Sequence, residues 1–313
     1  FMRMGDDLPL PPGEGRGEGA LKPTQPGLAQ TAMDAVTSGR VKITPERYAK
    51  GYLDWLGEKR DWPIGRQLWW GHRIPVWRFN SLKVAPRDQA DDYASKAIAF
   101  CRQHEKSNSF VYHAWAVADD TKTEGPHEFE IQVCLLQDDK DVIRQLEVVG
   151  FVHVADVLDT WFSSALRPQS TLGWPNETPE LKKFYPTSVL ITSRDIITLW
   201  VARMVLAGLY NRHEVPFHEV YITPKILDGY GETMSKSKGN GVDPLDVIEK
   251  FGADALRFGL AYLTTDTQDV KLPVEFECPY CQAVFPQTKK NRQLPRIECE
   301  KCGQPFSTQW AEK

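Results

Sequence analysis

The apolar residues of this chain recur with a period that changes several times along its length. Residues 5–30 are rich in Gly, Pro and Glu and carry no sustained apolar spacing, the composition of a flexible loop or linker. A short helix is expected over residues 31–40, then an extended piece at Val41-Lys42-Ile43. Pro45 suits the first turn of the next helix, where Tyr48, Tyr52, Trp55 and Leu56 recur at helical spacing as a core-facing stripe. Further on, the pattern predicts a helix over 90–104, strands over 110–118 and 128–136, and a helix over 140–149. Phe151-Val152-His153-Val154 reads as a buried strand. Val189-Leu190-Ile191-Thr192 reads as a strand that turns at Ser193-Arg194-Asp195 into a strongly apolar helix ending near Tyr210. The apolar run from Val220 to Leu227 predicts another strand, followed by a turn at Asp228-Gly229-Tyr230-Gly231 and a helix opening near Asp243-Pro244.

Composition narrows the class. At 313 residues the chain is long enough for one large or two ordinary domains, and 41% hydrophobic against 26% charged residues leaves ample apolar mass for a core. The net charge of −4 argues against a free-standing nucleic-acid binder held by phosphate neutralisation. No apolar run is long enough to predict a membrane span. The start at Phe1, followed at once by the Gly/Pro/Glu run, does not read as a secretory signal and suggests a piece of a longer protein. Four of the six cysteines fall in two Cys-x-x-Cys pairs, which points to metal in a reducing compartment, the cytoplasm, rather than to a disulfide framework.

Three stretches carry candidate chemistry. The run Thr233-Met234-Ser235-Lys236-Ser237-Lys238-Gly239-Asn240 places two lysines among small residues between a strand and a helix, where ammonium groups can offset charge on a departing polyphosphate; a solvated surface loop is the alternative. Asp156, just after a predicted strand, can hold a substrate ammonium or cap the following helix. In Trp69-Trp70-Gly71, one indole can pack inward while the glycine lets backbone approach a ligand. At the far end, Cys278, Cys281, Cys299 and Cys302 have the spacing of a zinc ribbon, with Gly303 fitting a tight knuckle, so a structural Zn²⁺ held by four thiolates is expected. Cys101 and Cys134 lack metal spacing and read as buried free thiols. Lys289, Lys290, Arg292 and Arg296 read as a solvated face or an RNA contact.

The blocks Gln67 to Trp77, Asp156-Val157-Leu158-Asp159-Thr160-Trp161-Phe162-Ser163-Ser164, Met234 to Asn240 and Gly252-Ala253-Asp254-Ala255-Leu256-Arg257-Phe258 together resemble the class I aminoacyl-tRNA synthetases, and among them the valine-specific branch. The resemblance implies an α/β fold: the second half of a Rossmann-like parallel sheet with a small α+β insertion and a C-terminal zinc ribbon. The implied domains are a linker over 1–30, a first catalytic segment over 31–78, the insertion over 79–150, a second catalytic segment over 151–273 and the ribbon over 274–313. It also implies valine activation with ATP and Mg²⁺, transfer to tRNA(Val), and a monomeric full-length protein. By the same likeness Lys236 and Lys238 are catalytic, and Trp70, Asp156, Val157 and Trp161 form the valine pocket. Asp195, Ser235, Lys236, Gly239 and Asn240 meet ATP. Several positions depart from that pattern: Pro63 and Gly65 replace Cys and Ser, Ser193 replaces a glycine, Thr223-Pro224 replaces His-Gly, and Thr233 replaces a lysine. No His-x-Gly-His motif occurs, so this chain is expected to be inactive alone. Ser163-Ser164 disfavours the isoleucine-specific relatives, and a non-catalytic paralogue with an RNA-binding ribbon stays open as a further reading.

Overall fold

Parallel pairing between strands far apart in sequence organises the larger part of the chain. A computed structural model describes residues 2, 4, 27–58, 60–84, 89–104, 110–117, 128–235, 238, 240–265, 268–272, 275–291 and 294–307. Two compact units result, one of residues 1–4 and 61–164, the other of residues 5–60 and 165–313. The expected linker lies outside the described residues over 5–26.

In the second unit, the strand Phe217–Thr223 lies between Lys42–Thr44 and Thr187–Ser193, all three parallel. Such pairing needs helical crossovers that cover the sheet. The helix Ala202–Arg212, which connects two of these strands, has a run of buried residues from Ala202 to Leu209, and Phe217, Val220 and Ile222 of the central strand are also buried. The aromatic stripe after Pro45 behaves as expected, since Tyr52 and Leu56 are buried on the helix Ala49–Gly57. The Tyr52 hydroxyl donates to the Ala32 carbonyl at 3.0 Å, tying that helix to Leu28–Thr37. Burial raises the Tyr52 phenol, so this donor stays protonated. A second parallel pair, Ile226–Asp228 with Val270–Leu272, leads into the 233–240 loop. Asp243 caps the helix Pro244–Phe251 with its carboxylate on the Leu245 N–H, as its sequence signal indicates.

The first unit contains a four-stranded antiparallel sheet ordered Phe110–Val117, Glu128–Leu135, Val76–Asn80, Val152–His153. Trp77, Phe79, Ile131, Val133, Leu146 and Phe151 form its core with Ala97 and Cys101 from the helix Ala90–His104. Burial pushes the Cys101 thiol up to about 12 and raises Cys134; Cys101 is the buried free thiol expected, while Cys134 is only half-buried. Two strand expectations need correction. The run from Val220 to Leu227 is not one strand: it is shared between Phe217–Thr223 and Ile226–Asp228, which belong to different sheets. Val152–His153 is a two-residue edge strand paired only with Val76–Asn80, and Val152 is exposed. Phe151, just before the strand, enters the core and His153 stacks on Trp77, while Val152 between them points the other way, to solvent. Among the described residues, no helix is long and apolar enough to cross a membrane.

Tyr52→Phe should lower the unfolding free energy by about 1 kcal/mol through the lost hydroxyl bond. Tyr52→Ala should cost roughly 3–5 kcal/mol through the cavity it leaves. Urea denaturation of the two variants checks both values.

Candidate active site and metal centre

The first candidate site is built where two short segments of the first unit cross. Gly65–Arg66 pairs antiparallel with Val157–Leu158, and the Leu158 N–H donates to the His72 carbonyl at 2.7 Å. The Asp159 N–H donates to the Ile64 carbonyl at 2.8 Å. These bonds wrap residues 64–74 around 156–159 and leave a cleft of about 620 Å³ lined by Gln67, Leu68, Trp69, Trp70, Gly71, Arg73, Ala155, Asp156 and Val157. Asp156 Oδ2 accepts a hydrogen bond from Gln67 Nε2 at 2.9 Å. Two glycines make this approach possible: a Cβ at Gly65 would lie 2.8 Å from the Asp156 carboxylate, and one at Gly71 would lie 2.9 Å from Val157 Cγ2. Backbone rather than an indole therefore covers Val157. The expected inward-packing tryptophan is absent, with Trp69 and Trp70 at 107% and 92% exposure on the cleft rim.

Trp70, Asp156 and Val157 thus come together, while Trp161 is not among the lining residues and stands at the start of the helix Thr160–Ala165. That helix does not take Asp156 as its cap. Asp159 performs the capping, accepting the Trp161 N–H at 3.2 Å, and the Asp156 carboxylate is not used by the helix. Asp159 is itself buried and accepts Trp62 Nε1 at 3.2 Å and the Arg66 guanidinium at 2.9 Å. Sequence reasoning passed over Asp159. Its signal is an acid directly before Thr160-Trp161-Phe162-Ser163-Ser164, the position of a helix cap.

The second candidate site belongs to the other unit. Asp228, fully buried, accepts the backbone N–H of Tyr230 at 3.0 Å and of Glu232 at 2.8 Å on one oxygen, and Asn240 Nδ2 at 2.9 Å on the other. Asn240 Oδ1 accepts the Ser235 N–H at 2.9 Å, and Asn240 Nδ2 also reaches the Thr233 carbonyl at 3.3 Å. The two ends of the 233–240 run are therefore fastened to each other and to Asp228. Asn240, expected at the nucleotide, is fully buried with both ends of its amide engaged in closing the loop. Lys238 is exposed, with its ammonium 3.6 Å from Glu232. Lys236 and Gly239 lie outside the described residues.

Asp195 forms an ion pair with Lys225. Beside it, Arg194 pairs with Asp269 at 2.7 Å. Desolvation raises Asp269, but Arg194 and the Lys225 N–H outweigh it and hold the carboxyl below its ordinary range. Two positions that depart from the resembling sequences face each other: Ser193 stands opposite Thr223 in the parallel ladder. The Ser193 hydroxyl is buried with no hydrogen-bond partner among the described residues.

The four spaced cysteines occupy two hairpins, Glu275–Glu277 with Val284–Pro286 and Arg296–Glu298 with Pro305–Ser307. The two knuckles repeat one construction. The residue after each second cysteine, Gln282 or Gly303, has positive φ (57° and 71°) and donates its N–H to the carbonyl of the first cysteine at 2.8 Å. All four sulfurs lie within 4.8 Å of one another, with closest pairs at 3.6 and 3.5 Å. A tetrahedron with Zn–S bonds of about 2.3 Å needs sulfurs about 3.8 Å apart, so the donor set fits such a cation. Protons on these thiols are unequally held. Desolvation raises Cys299, yet the Cys302 and Lys301 N–H groups outweigh it and bring the thiol down to about 6. The Gln304 N–H lowers Cys302, but desolvation and the neighbouring sulfurs push it up to about 12.

The sequence model of tRNA synthetases class I (I, L, M and V) matches residues 22–273. A valine--tRNA ligase of Rhodopirellula baltica is 59% identical over 285 residues, 91% of this chain and 27% of that protein. A valine--tRNA ligase of Rhodopseudomonas palustris is 43% identical over 245 residues, 78% of this chain and 23% of that protein. The chain thus spans about a quarter of the length of these curated relatives. Among solved structures, the LeuRS–tRNA–LeuAMS ternary complex from Agrobacterium radiobacter K84 aligns at TM-score 0.43 and 21% identity, over 68% of this chain and 26% of that one.

Asp159→Ala should cost roughly 2–4 kcal/mol, combining a lost cap with an orphaned Trp62 N–H. Asp156→Ala should leave stability within about 0.5 kcal/mol of the parent, since no helix end depends on it. Thermal melts of the two variants separate a structural acid from one left for a ligand.

Proposed function

The chain belongs to the tRNA synthetases of class I, and on that premise we propose that it is part of a valine--tRNA ligase, covering the second half of the catalytic domain. The observation that carries this reading is the cleft that gathers Asp156, Val157 and Trp70, in a chain 59% identical to a protein named for valine. The carboxylate of Asp156, oriented by Gln67, receives the α-ammonium of the amino acid. Val157 and the rim indole of Trp70 form an apolar wall for a small branched side chain. Such a wall selects by volume, and one methylene is worth only about 1–3 kcal/mol in a pocket of this kind.

The valine carboxylate then attacks the α-phosphorus of ATP, forming a mixed anhydride and breaking the bond to pyrophosphate. A hydroxyl of the terminal adenosine of tRNA(Val) then attacks the carbonyl carbon of the anhydride, forming the ester and releasing AMP and the hydroxyl proton. This chemistry asks the protein for positioning and charge stabilisation more than for covalent help. Lys236, with Lys238 beside it in sequence, offsets the charge gathering on pyrophosphate, whose Mg²⁺ arrives with the ATP. Ser235 and Gly239 contribute contacts to the nucleotide, and Asp195 serves the ribose. Cys278, Cys281, Cys299 and Cys302 hold a Zn²⁺ whose part is structural, cross-linking the two hairpins. Free thiols and a four-sulfur site fit a reducing compartment, and we assign the protein to the cytoplasm.

The full-length protein should catalyse ATP–pyrophosphate exchange that depends on valine, and far less on isoleucine. Lys236→Ala should slow that exchange by about 10²-fold or more, and Asp156→Ala should raise KM for valine while leaving KM for ATP nearly unchanged. Exchange driven by another amino acid, or none from folded protein, contradicts the assignment. Metal analysis should find one zinc per chain, bound less tightly as pH falls because protons compete for the four thiolates. Protein that takes up no zinc contradicts that part.

A further inference from the structure

The two cysteine hairpins lie beyond residues 22–273, the span that the family model matches. They are nonetheless joined to the 233–240 loop. Tyr230, in the turn that opens the loop, donates its hydroxyl to the Gln287 carbonyl at 3.0 Å. The Lys289 ammonium stands 5.7 Å from the centroid of the same ring. Gln287 is buried and follows directly on Val284–Pro286, the returning strand of the first cysteine hairpin. The turn beyond it is locked by reciprocal bonds: the Thr288 N–H reaches Asn291 Oδ1, the Asn291 N–H reaches Thr288 Oγ1, and Asn291 Nδ2 reaches the Pro286 carbonyl. The acceptor for Tyr230 is thus held by the hairpin rather than by the loop.

The other end of Tyr230 is equally committed, its N–H bonding Asp228 Oδ1. Asp228 Oδ2 takes Asn240 Nδ2, and Asn240 Oδ1 takes the Ser235 N–H. An unbroken path of hydrogen bonds therefore runs from the first cysteine hairpin through Tyr230, Asp228 and Asn240 to Ser235. We propose that the metal-held hairpin positions the 233–240 loop through Tyr230, so that the loop's handling of a polyphosphate depends on the state of the four-cysteine centre. This rests on the reading of the loop as the polyphosphate site and of the cysteines as metal ligands. Tyr230 is a positioning residue here. The hairpin lends rigidity to a short polar segment that has little apolar surface of its own.

The loop carries its own probe, because trypsin cuts after lysine and Lys236 and Lys238 lie within it. In the full-length protein, stripping the metal with a chelator should raise the rate of cleavage in the loop about fivefold or more, with zinc restoring the slow rate. Tyr230→Phe, which keeps the ring and loses the hydroxyl, should raise loop cleavage with zinc still bound. It should also increase KM for ATP and leave KM for valine unchanged. Cys302→Ser should mimic the chelator. An unchanged loop cleavage rate after verified metal loss overturns the coupling, as does a Tyr230→Phe variant indistinguishable from the parent in both proteolysis and KM for ATP. Proteolysis needs no catalysis, so it reads the coupling even if the valine assignment fails. Valine-dependent exchange with an insensitive loop sinks the coupling alone.

Discussion

A carboxylate buried away from water must keep its hydrogen bonds, since each donor lost leaves charge uncompensated in a medium of low polarity. Asp228 is such a group, and the fastening of both ends of the 233–240 loop follows from it. Three N–H donors converge on it from Tyr230, Glu232 and Asn240. Two of them are the backbone of the turn that opens the loop, and the third is the side chain that closes it. Satisfying one acid thereby fastens both ends of the segment. The parallel pairing of Ile226–Asp228 with Val270–Leu272 holds the acid in place, so the loop takes its geometry from the sheet.

The cleft beside Asp156 depends on hydrogen bonds of the same kind, in the other unit. Asp159 is buried with Trp62, Arg66 and the first turn of a helix as its donors. Three residues before it, Asp156 is bound only by the flexible amide of Gln67 among the contacts that define the cleft. Two acids on one short segment are thus separated by surroundings into a structural one and an available one. Gly65 makes that separation possible, because any side chain there would press on the Asp156 carboxylate. Its departure from the resembling sequences accordingly has a geometric consequence at the acid proposed to receive the substrate ammonium.

Much of this was legible in the residues. The helices Ala90–His104 and Lys140–Val149 follow their periodicity to the residue, because each has a continuous apolar stripe and the second has a cap at Asp139 and a left-handed Gly150. The four cysteines came together because knuckle spacing fixes local geometry, and Gln282 takes the left-handed position that Gly303 takes in the second knuckle. The strand at 151–154 was misjudged since alternation of apolar residues does not say whether a neighbour exists on both sides. The Asp228–Asn240 clamp left no mark in any pattern: an acid and an amide twelve residues apart look like surface until a fold buries them. The same holds for Tyr230 and Gln287, joined across 57 residues. Thr233 and the pair Ser193 and Thr223 were legible only as departures. In the fold Thr233 forms a bridge with Leu227, and the other two face each other at the carboxyl ends of neighbouring strands.

The claim on which the account stands is that the cleft beside Asp156 takes the amino acid. A crystal structure of the full-length protein with valine and ATP tests it most directly. The account predicts valyl-adenylate with its ammonium within hydrogen-bond distance of the Asp156 carboxylate and its isopropyl group against Val157 and Trp70. An adenylate whose ammonium is held by another acid, with the Asp156 cleft filled only by solvent, would contradict it.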